Sequence, residues 1–144
     1  QNLRTVDRTT HGAVSGVDKG AYILKEASSA PSVTIIATGS EVGIALDAQI
    51  ALEADGVSTR VVSAPCLEWF NEQPNSYRES VLPASSLRVS IEAGIALGWR
   101  EYVGDTGVII SLDHWGASAS AAKLFTEFGL TSERVVADVK KALA

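Results

Sequence analysis

The stretch from Val33 to Gly56 constrains the fold more than any other part of the chain. Val33-Thr34-Ile35-Ile36-Ala37 is apolar and β-branched, the composition of a strand covered on both faces. Thr38-Gly39-Ser40 interrupts it, and a helix is predicted from about Glu41 to Asp55. Ser40 suits the N-cap, where a hydroxyl accepts a free N–H of the first turn. Glu41 then sets a negative charge at the positive helix end. Gly56 supplies a left-handed stop, with apolar Val57 behind it. A strand leading straight into a helix returns by a crossover, so the next strand lies parallel to the first.

The pattern recurs. Strand runs are read at Ala21–Leu24, Arg60–Ser63, Leu87–Ile91 and Val108–Leu112. The last two run into Glu92-Ala93-Gly94 and Asp113-His114-Trp115-Gly116. Between them, Glu68–Phe70 is a short helix or turn. Pro74 opens a helix that Pro83 prevents from continuing, and Gly98–Tyr102 holds one short helix. Near the end, Ala121, Leu124, Phe125 and Phe128 share one helical face. Gly129-Leu130 stops that helix. Thr131 caps the next, with Val136, Val139 and Leu143 inward and Lys140-Lys141 at its negative end. Strands alternating with helices predict a three-layer α/β fold of about five strands. Residues 1–19 are polar and aperiodic, as expected of a linker or an arm lying on a neighbour.

Composition narrows the function classes. The 144 residues fit one domain, and 46% are hydrophobic, so the chain can bury its own core. Seventeen acidic residues against twelve basic give a net charge of −5, which opposes a nucleic-acid partner. No apolar run approaches the roughly 18–20 residues of a membrane helix. Cys66 is the one cysteine, which excludes an internal disulfide. The chain has no methionine and begins Gln1-Asn2-Leu3, as an internal stretch of a longer protein would.

Candidate chemistry is sparse. His11 and His114 are far apart and have no second ligand at metal spacing. Asp113-His114 reads as loop polarity, and Cys66 as a small buried hydrophobe. The best binding feature is the rim at the carboxyl ends of the strands, where ligands bind in open α/β sheets. Gly39, Ser40, Glu41, Glu68, Glu92, Gly94 and Asp113 fall there. Gly39-Ser40 would offer N–H groups to an anion, but Glu41 and Glu92 flank the spot. Two unit charges ~4 Å apart repel by ~4 kcal/mol at an effective dielectric of about 20. Three readings stay open: an effector site, acids that cap helices and take backbone N–H groups, or a surface for a neighbouring domain. Trp69, Phe70, Trp99 and Trp115 lie on the same side, suited either to core or to contact.

The blocks Ala37-Thr38-Gly39-Ser40-Glu41-Val42, Glu68-x-Phe70-x-x-Gln73, Tyr77 with Ser80-Val81-Leu82-Pro83, Glu92-Ala93-Gly94 with Gly98-Trp99, and Tyr102-Val103-Gly104 with Asp113-x-Trp115-Gly116-Ala117-Ser118-Ala119 occur in this order. Together they resemble the carboxy-terminal (third) domain of the transketolase family, from about Gly20 to the end. Gln1-Asn2-Leu3 resembles the tail of the preceding domain. Trp115 stands for a usual Phe, Ser120 for a common Pro and Cys66 for a common Ser.

The resemblance implies a mixed, mostly parallel sheet of order 1-3-2-4-5 with strand 1 antiparallel. It implies residues 1–19 as interdomain linker and 20–144 as the domain. It implies a parent that is a cytoplasmic homodimer using thiamine diphosphate and Mg or Ca. That parent would move a two-carbon ketol unit between sugar phosphates, in the pentose phosphate pathway. Its cofactor would lie between the two preceding domains, so no catalytic, cofactor-binding or metal residue is expected here. The partners implied are those domains and the dimer mate. Gly104-Asp105-Thr106-Gly107 superficially matches the family's Gly-Asp-Gly metal motif, but the motif's distal Asn cannot follow, because the last Asn is Asn75. The alternatives are a regulatory effector domain, or the equivalent domain of 1-deoxyxylulose-5-phosphate synthase or of a 2-oxoacid dehydrogenase component.

Overall fold

The computed structural model describes Leu3 and residues 5–144. Gln1, Asn2 and Arg4 lie outside it, and with them most of the stretch read as a preceding-domain tail. Five strands form one sheet: β1 Tyr22–Lys25, β2 Val33–Ala37, β3 Thr59–Ser63, β4 Leu87–Ile91 and β5 Val108–Ile110. Their order is β1-β3-β2-β4-β5. β1 pairs antiparallel with β3, and every other pairing is parallel. The architecture expected from the resemblance is present.

Strand alternation divides the core in two. Val33, Ile35, Val61, Val89 and Ile91 face α1 (Glu41–Ala54) and α6 (Ser132–Leu143). Ile36, Val62 and Ala64 face the opposite layer, α2 (Leu67–Asn71), α3 (Asn75–Val81) and α4 (Trp99–Val103). Both faces are buried, which is why β2 reads as a continuous apolar run rather than an alternating one.

Helix ends follow their local signals with one exception. After α1, Gly56 has φ 78°, its N–H donates to Glu53 O at 3.0 Å, and Val57 N–H donates to Leu52 O at 2.9 Å. This is the expected left-handed stop. Thr131 accepts from Arg134 N–H at 3.2 Å, as expected of an N-cap. Ser40 does not cap α1. Its backbone is helical (φ −68°, ψ −27°), not extended, so its hydroxyl misses the first-turn N–H groups and donates to the Glu41 carboxylate.

Three other expectations change. β5 stops at Ile110 because Leu112 N–H leaves the ladder for Gly94 O, at 2.8 Å. α5 (Ala121–Glu127) buries none of its residues, so its apolar face is only partly covered. In α6, Val135 and Val139 are the buried positions and Leu143 is exposed. Residues 14–19 form a 3-10 helix, and Gly12 N–H donates to Leu24 O at 2.7 Å. The described part of the amino-terminal arm therefore runs along β1.

One buried charge ties three elements together. Arg60 on β3, 8% exposed, bonds both oxygens of Glu26 at 2.8 and 3.0 Å. Its Nη1 donates to Ser80 O and Val81 O at 2.6 and 3.1 Å. Burial acts to raise the Glu26 pKa. The hydrogen bonds from Arg60 and Ala27 and the Arg60 charge outweigh it and hold the carboxyl below its ordinary 4.5. A depressed carboxyl stabilises the fold above its unfolded pKa and loses that contribution as pH falls through its folded pKa. Glu26→Gln is therefore expected to lose about 1–2 kcal/mol at neutral pH, modest because Glu26 is half-exposed. The gap from the parent chain should close as pH drops below 4.5 in urea melts. A gap independent of pH would contradict the pairing.

Candidate functional site

The carboxyl ends of β2, β3 and β4 open on one edge of the sheet. Ala37 on β2 is in register with Ser63 on one side and Ile91 on the other. The chain leaves β2 toward β3 by way of α1, and leaves β4 toward β5 by way of α4. The connections diverge between β2 and β4, which is where such sheets form a crevice.

A cleft of about 460 Å³ lies there, with Cys66, Glu68, Glu92, Trp99, Glu101 and Tyr102 in its walls. Glu92 is held by side chains. The Trp99 indole Nε1–H donates to its Oε2 at 2.6 Å, and the Thr38 hydroxyl to its Oε1 at 3.4 Å. The Trp99 ring meets Tyr102 edge-on at 6.0 Å, and Asn71 Nδ2 donates to the Tyr102 oxygen at 2.8 Å. Burial pushes the Tyr102 phenol pKa up, and the charges of Glu101 and Glu68 add to the rise. Cys66 Sγ lies 3.5 Å from Glu68 Oε2. Among the described residues, three carboxylates and no cation line this cleft. It suits a cationic or hydrogen-bond-donating group and opposes an oxyanion.

The predicted rim residues separate. Glu92 sits in the cleft and Gly94 follows it, its carbonyl accepting from Leu112. Gly39 and Ser40 line a different recess, of about 310 Å³, with Arg8 and Tyr22. Glu41 is buried and bonded to Ser40. Asp113 lies exposed beyond β5. One of the three readings left open had Glu92 and Glu41 capping helices or taking backbone N–H groups. Their carboxylates bond side chains instead, because Ser40 and Trp99 reach them first. Asn71, Thr38, Glu101 and Tyr102 were not anticipated. Their only sequence signal was position, just past a strand or in the short helix after Gly98.

The four aromatics divide evenly. Phe70 and Trp99 are 2% and 3% exposed, whereas Trp69 and Trp115 are 51% and 96% exposed. Leu97 and Ile95, in the β4–α4 connection, are also exposed, at 83% and 62%. These four of the exposed apolar residues follow the carboxyl ends of β3, β4 and β5, and Leu97 reaches the cleft wall.

The residues present do not fit a thiamine diphosphate holder. In the turn Gly104–Gly107, Arg100 Nη1 donates to the carbonyls of Gly104, Asp105 and Gly107 at 2.9, 3.3 and 3.1 Å. A guanidinium on those oxygens repels a metal cation. His11 bonds Asp7 O at 2.8 Å, and His114 bonds Trp115 O at 2.9 Å while packing on Phe128. Asp113 and His114 do not pair. Among the described residues, no group of three or more His, Cys, Asp or Glu could hold a metal ion, and no helix is long and apolar enough to cross a membrane.

Sheet order, covered faces and divergent crevice define a class: three-layer α/β domains with one antiparallel edge strand. Residues 20–131 match the model of the Transketolase-like TK C-terminal domain, and the chain belongs to that family. It is 46% identical over 136 residues to the transketolase of Aquifex aeolicus, covering 94% of this chain and 20% of that one. A transketolase structure from Pichia stipitis superposes with a TM-score of 0.88 at 33% identity, covering 99% of this chain and 20% of the other. A chain described as a split gene transketolase, inactive beta4 tetramer, superposes at 0.70 with 26% identity, covering 88% and 43%. The chain thus spans about a fifth of the length of the curated relatives it matches. Their names select transketolase among the enzymes the resemblance left open.

Proposed function

We propose that this chain serves as the C-terminal domain of a transketolase and acts there as an interaction domain, without catalytic groups of its own. Residues 20–144 form the domain and 1–19 the linker from the preceding one. The whole enzyme transfers a two-carbon ketol unit between sugar phosphates, as a cytoplasmic homodimer using thiamine diphosphate and a divalent metal. The observation that carries the domain's role is the exposure of Trp69, Ile95, Leu97 and Trp115 beyond the carboxyl ends of the strands, with Leu97 in the wall of a carboxylate-lined cleft. Its occupant is the preceding part of the parent chain, whose basic or N–H groups complement Glu68, Glu92 and Glu101. The relative described as a split-gene transketolase and as inactive supports the division of labour. The three carboxylates disfavour a phosphate effector in this cleft.

Two measurements test the reading. The 144-residue chain, given thiamine diphosphate, magnesium, a ketose phosphate and an aldose phosphate, is expected to show background turnover only. Mixed with a transketolase lacking this domain, it is expected to bind, and the double variant Leu97→Ser/Trp115→Ser to bind about tenfold more weakly or worse. Turnover by the chain alone, or binding indifferent to those two residues, would remove it.

A further inference from the structure

On the other side of the Asn71–Tyr102 hydrogen bond from the rim cleft lies a smaller recess of about 150 Å³. Two arginines line it, Arg78 from α3 and Arg88 from β4. Arg78 is half-buried, and its Nη2 donates to Asn75 Oδ1. Its Nε–H is removed from solvent and has no hydrogen-bond partner. Arg88 is also half-buried, and its side chain makes no hydrogen bond or ion pair with any described residue. Its guanidinium lies where a side chain on Gly104 would otherwise stand, with Nη2 3.0 Å from the Cβ position.

Native structures pair nearly all buried donors, so an orphaned guanidinium N–H marks a place where an acceptor belongs. Arg78 Nε–H is such a donor, and the half-buried Arg88 brings a second guanidinium to the same recess. A third donor faces them. The Tyr102 oxygen accepts from Asn71, which leaves its own proton free to donate, and burial keeps that phenol protonated. Glu79 and Glu101 also border the recess. Both are exposed, and neither forms an ion pair with the arginines. Water and salt screen those carboxylates more than they screen half-buried cations. Two guanidinium groups and two carboxylates border the recess, and the group that lacks an acceptor is the buried Arg78 Nε–H, which neither carboxylate reaches. A guanidinium pair matches the oxygens of a tetrahedral anion, and charge-assisted bonds of this type are the strong ones.

We propose that this recess binds a phosphate-class oxyanion, held by the Arg78 Nε–H, the Arg88 guanidinium and the Tyr102 hydroxyl. Inorganic phosphate and the phosphoryl end of a sugar phosphate share the required chemistry. The site does not depend on the activity proposed for the parent enzyme.

The test uses the isotope-labelled 144-residue chain and follows the arginine Nε–Hε resonances by NMR at constant ionic strength. Inorganic phosphate is expected to shift the Arg78 resonance saturably at millimolar concentration. Arg88→Ala should weaken binding by about tenfold or more, and Arg88→Lys by less, because it keeps the charge but loses the planar fork. Glu101→Gln should tighten binding a few-fold. Fructose 6-phosphate in a parallel titration separates the sources: tighter binding than phosphate identifies the ester, and weaker binding identifies the free ion. Thermal melts check each variant's fold, and Arg88→Gln replaces the alanine variant if that one melts early. No saturable shift up to tens of millimolar phosphate, or an unchanged affinity in folded Arg88 variants, would overturn the site.

Discussion

Gly20→Ala is expected to destabilise this protein by about 3 kcal/mol or more, read as the loss of its folding transition in urea. Gly20 has φ 80°, a conformation that costs an L-residue about 1–2 kcal/mol by itself. The larger part is steric. An added Cβ would lie 2.3 Å from both Cys66 O and Phe70 N, and 2.8 Å from Trp69 C. All three are backbone atoms of one turn, so no rotamer change relieves the contact. The same residue accepts Cys66 N–H at 2.9 Å, so pushing the two segments apart also breaks that bond. Gly39→Ala is the control. Its φ is also positive, at 47°, but a Cβ there meets nothing within 4 Å, so only the backbone term of about 1 kcal/mol remains. Equal effects at the two positions would show that the close approach of Gly20 to α2 does not matter.

Trp99→Ala is expected to lose about 3–5 kcal/mol, because a large ring that is 3% exposed leaves a cavity against Tyr102. It also removes the indole donor from Glu92. Trp99→Phe keeps most of the packing and removes only that donor, so a loss of about 1–2 kcal/mol is expected. In both variants Glu92 is released into the cleft. Binding of the transketolase core should weaken even in the phenylalanine variant, which stays folded. Melts and binding measured together distinguish this from simple unfolding. A phenylalanine variant that is as stable as its parent and binds as tightly would show that the Trp99–Glu92 bond neither supports the fold nor shapes the rim.

Much of the rim was legible as position. Glu92 and Gly39 follow apolar strand runs, and strand ends in such sheets converge on one edge. Their partners were not legible. Trp99 lies seven residues beyond Glu92, across an exposed loop, and reaches back only because α4 packs on β4. Ser40 has the residue type of an N-cap and the wrong backbone for one. That backbone is set by how the chain turns from β2 into α1. The arginine recess gave no signal at all, since Arg78 and Arg88 sit on separate elements and resemble ordinary solvated charges in a linear reading.

The sequence alone determined the alternation of strand and helix, the doubly covered sheet and the stop after α1. Each of these rests on apolar run length and turn residues that act within a few positions. Tertiary structure alone decided which charges lie buried, which carboxylate meets an indole and which of the four aromatics face water. Those outcomes depend on contacts between residues far apart in the chain, and a local pattern of residue types carries no record of them.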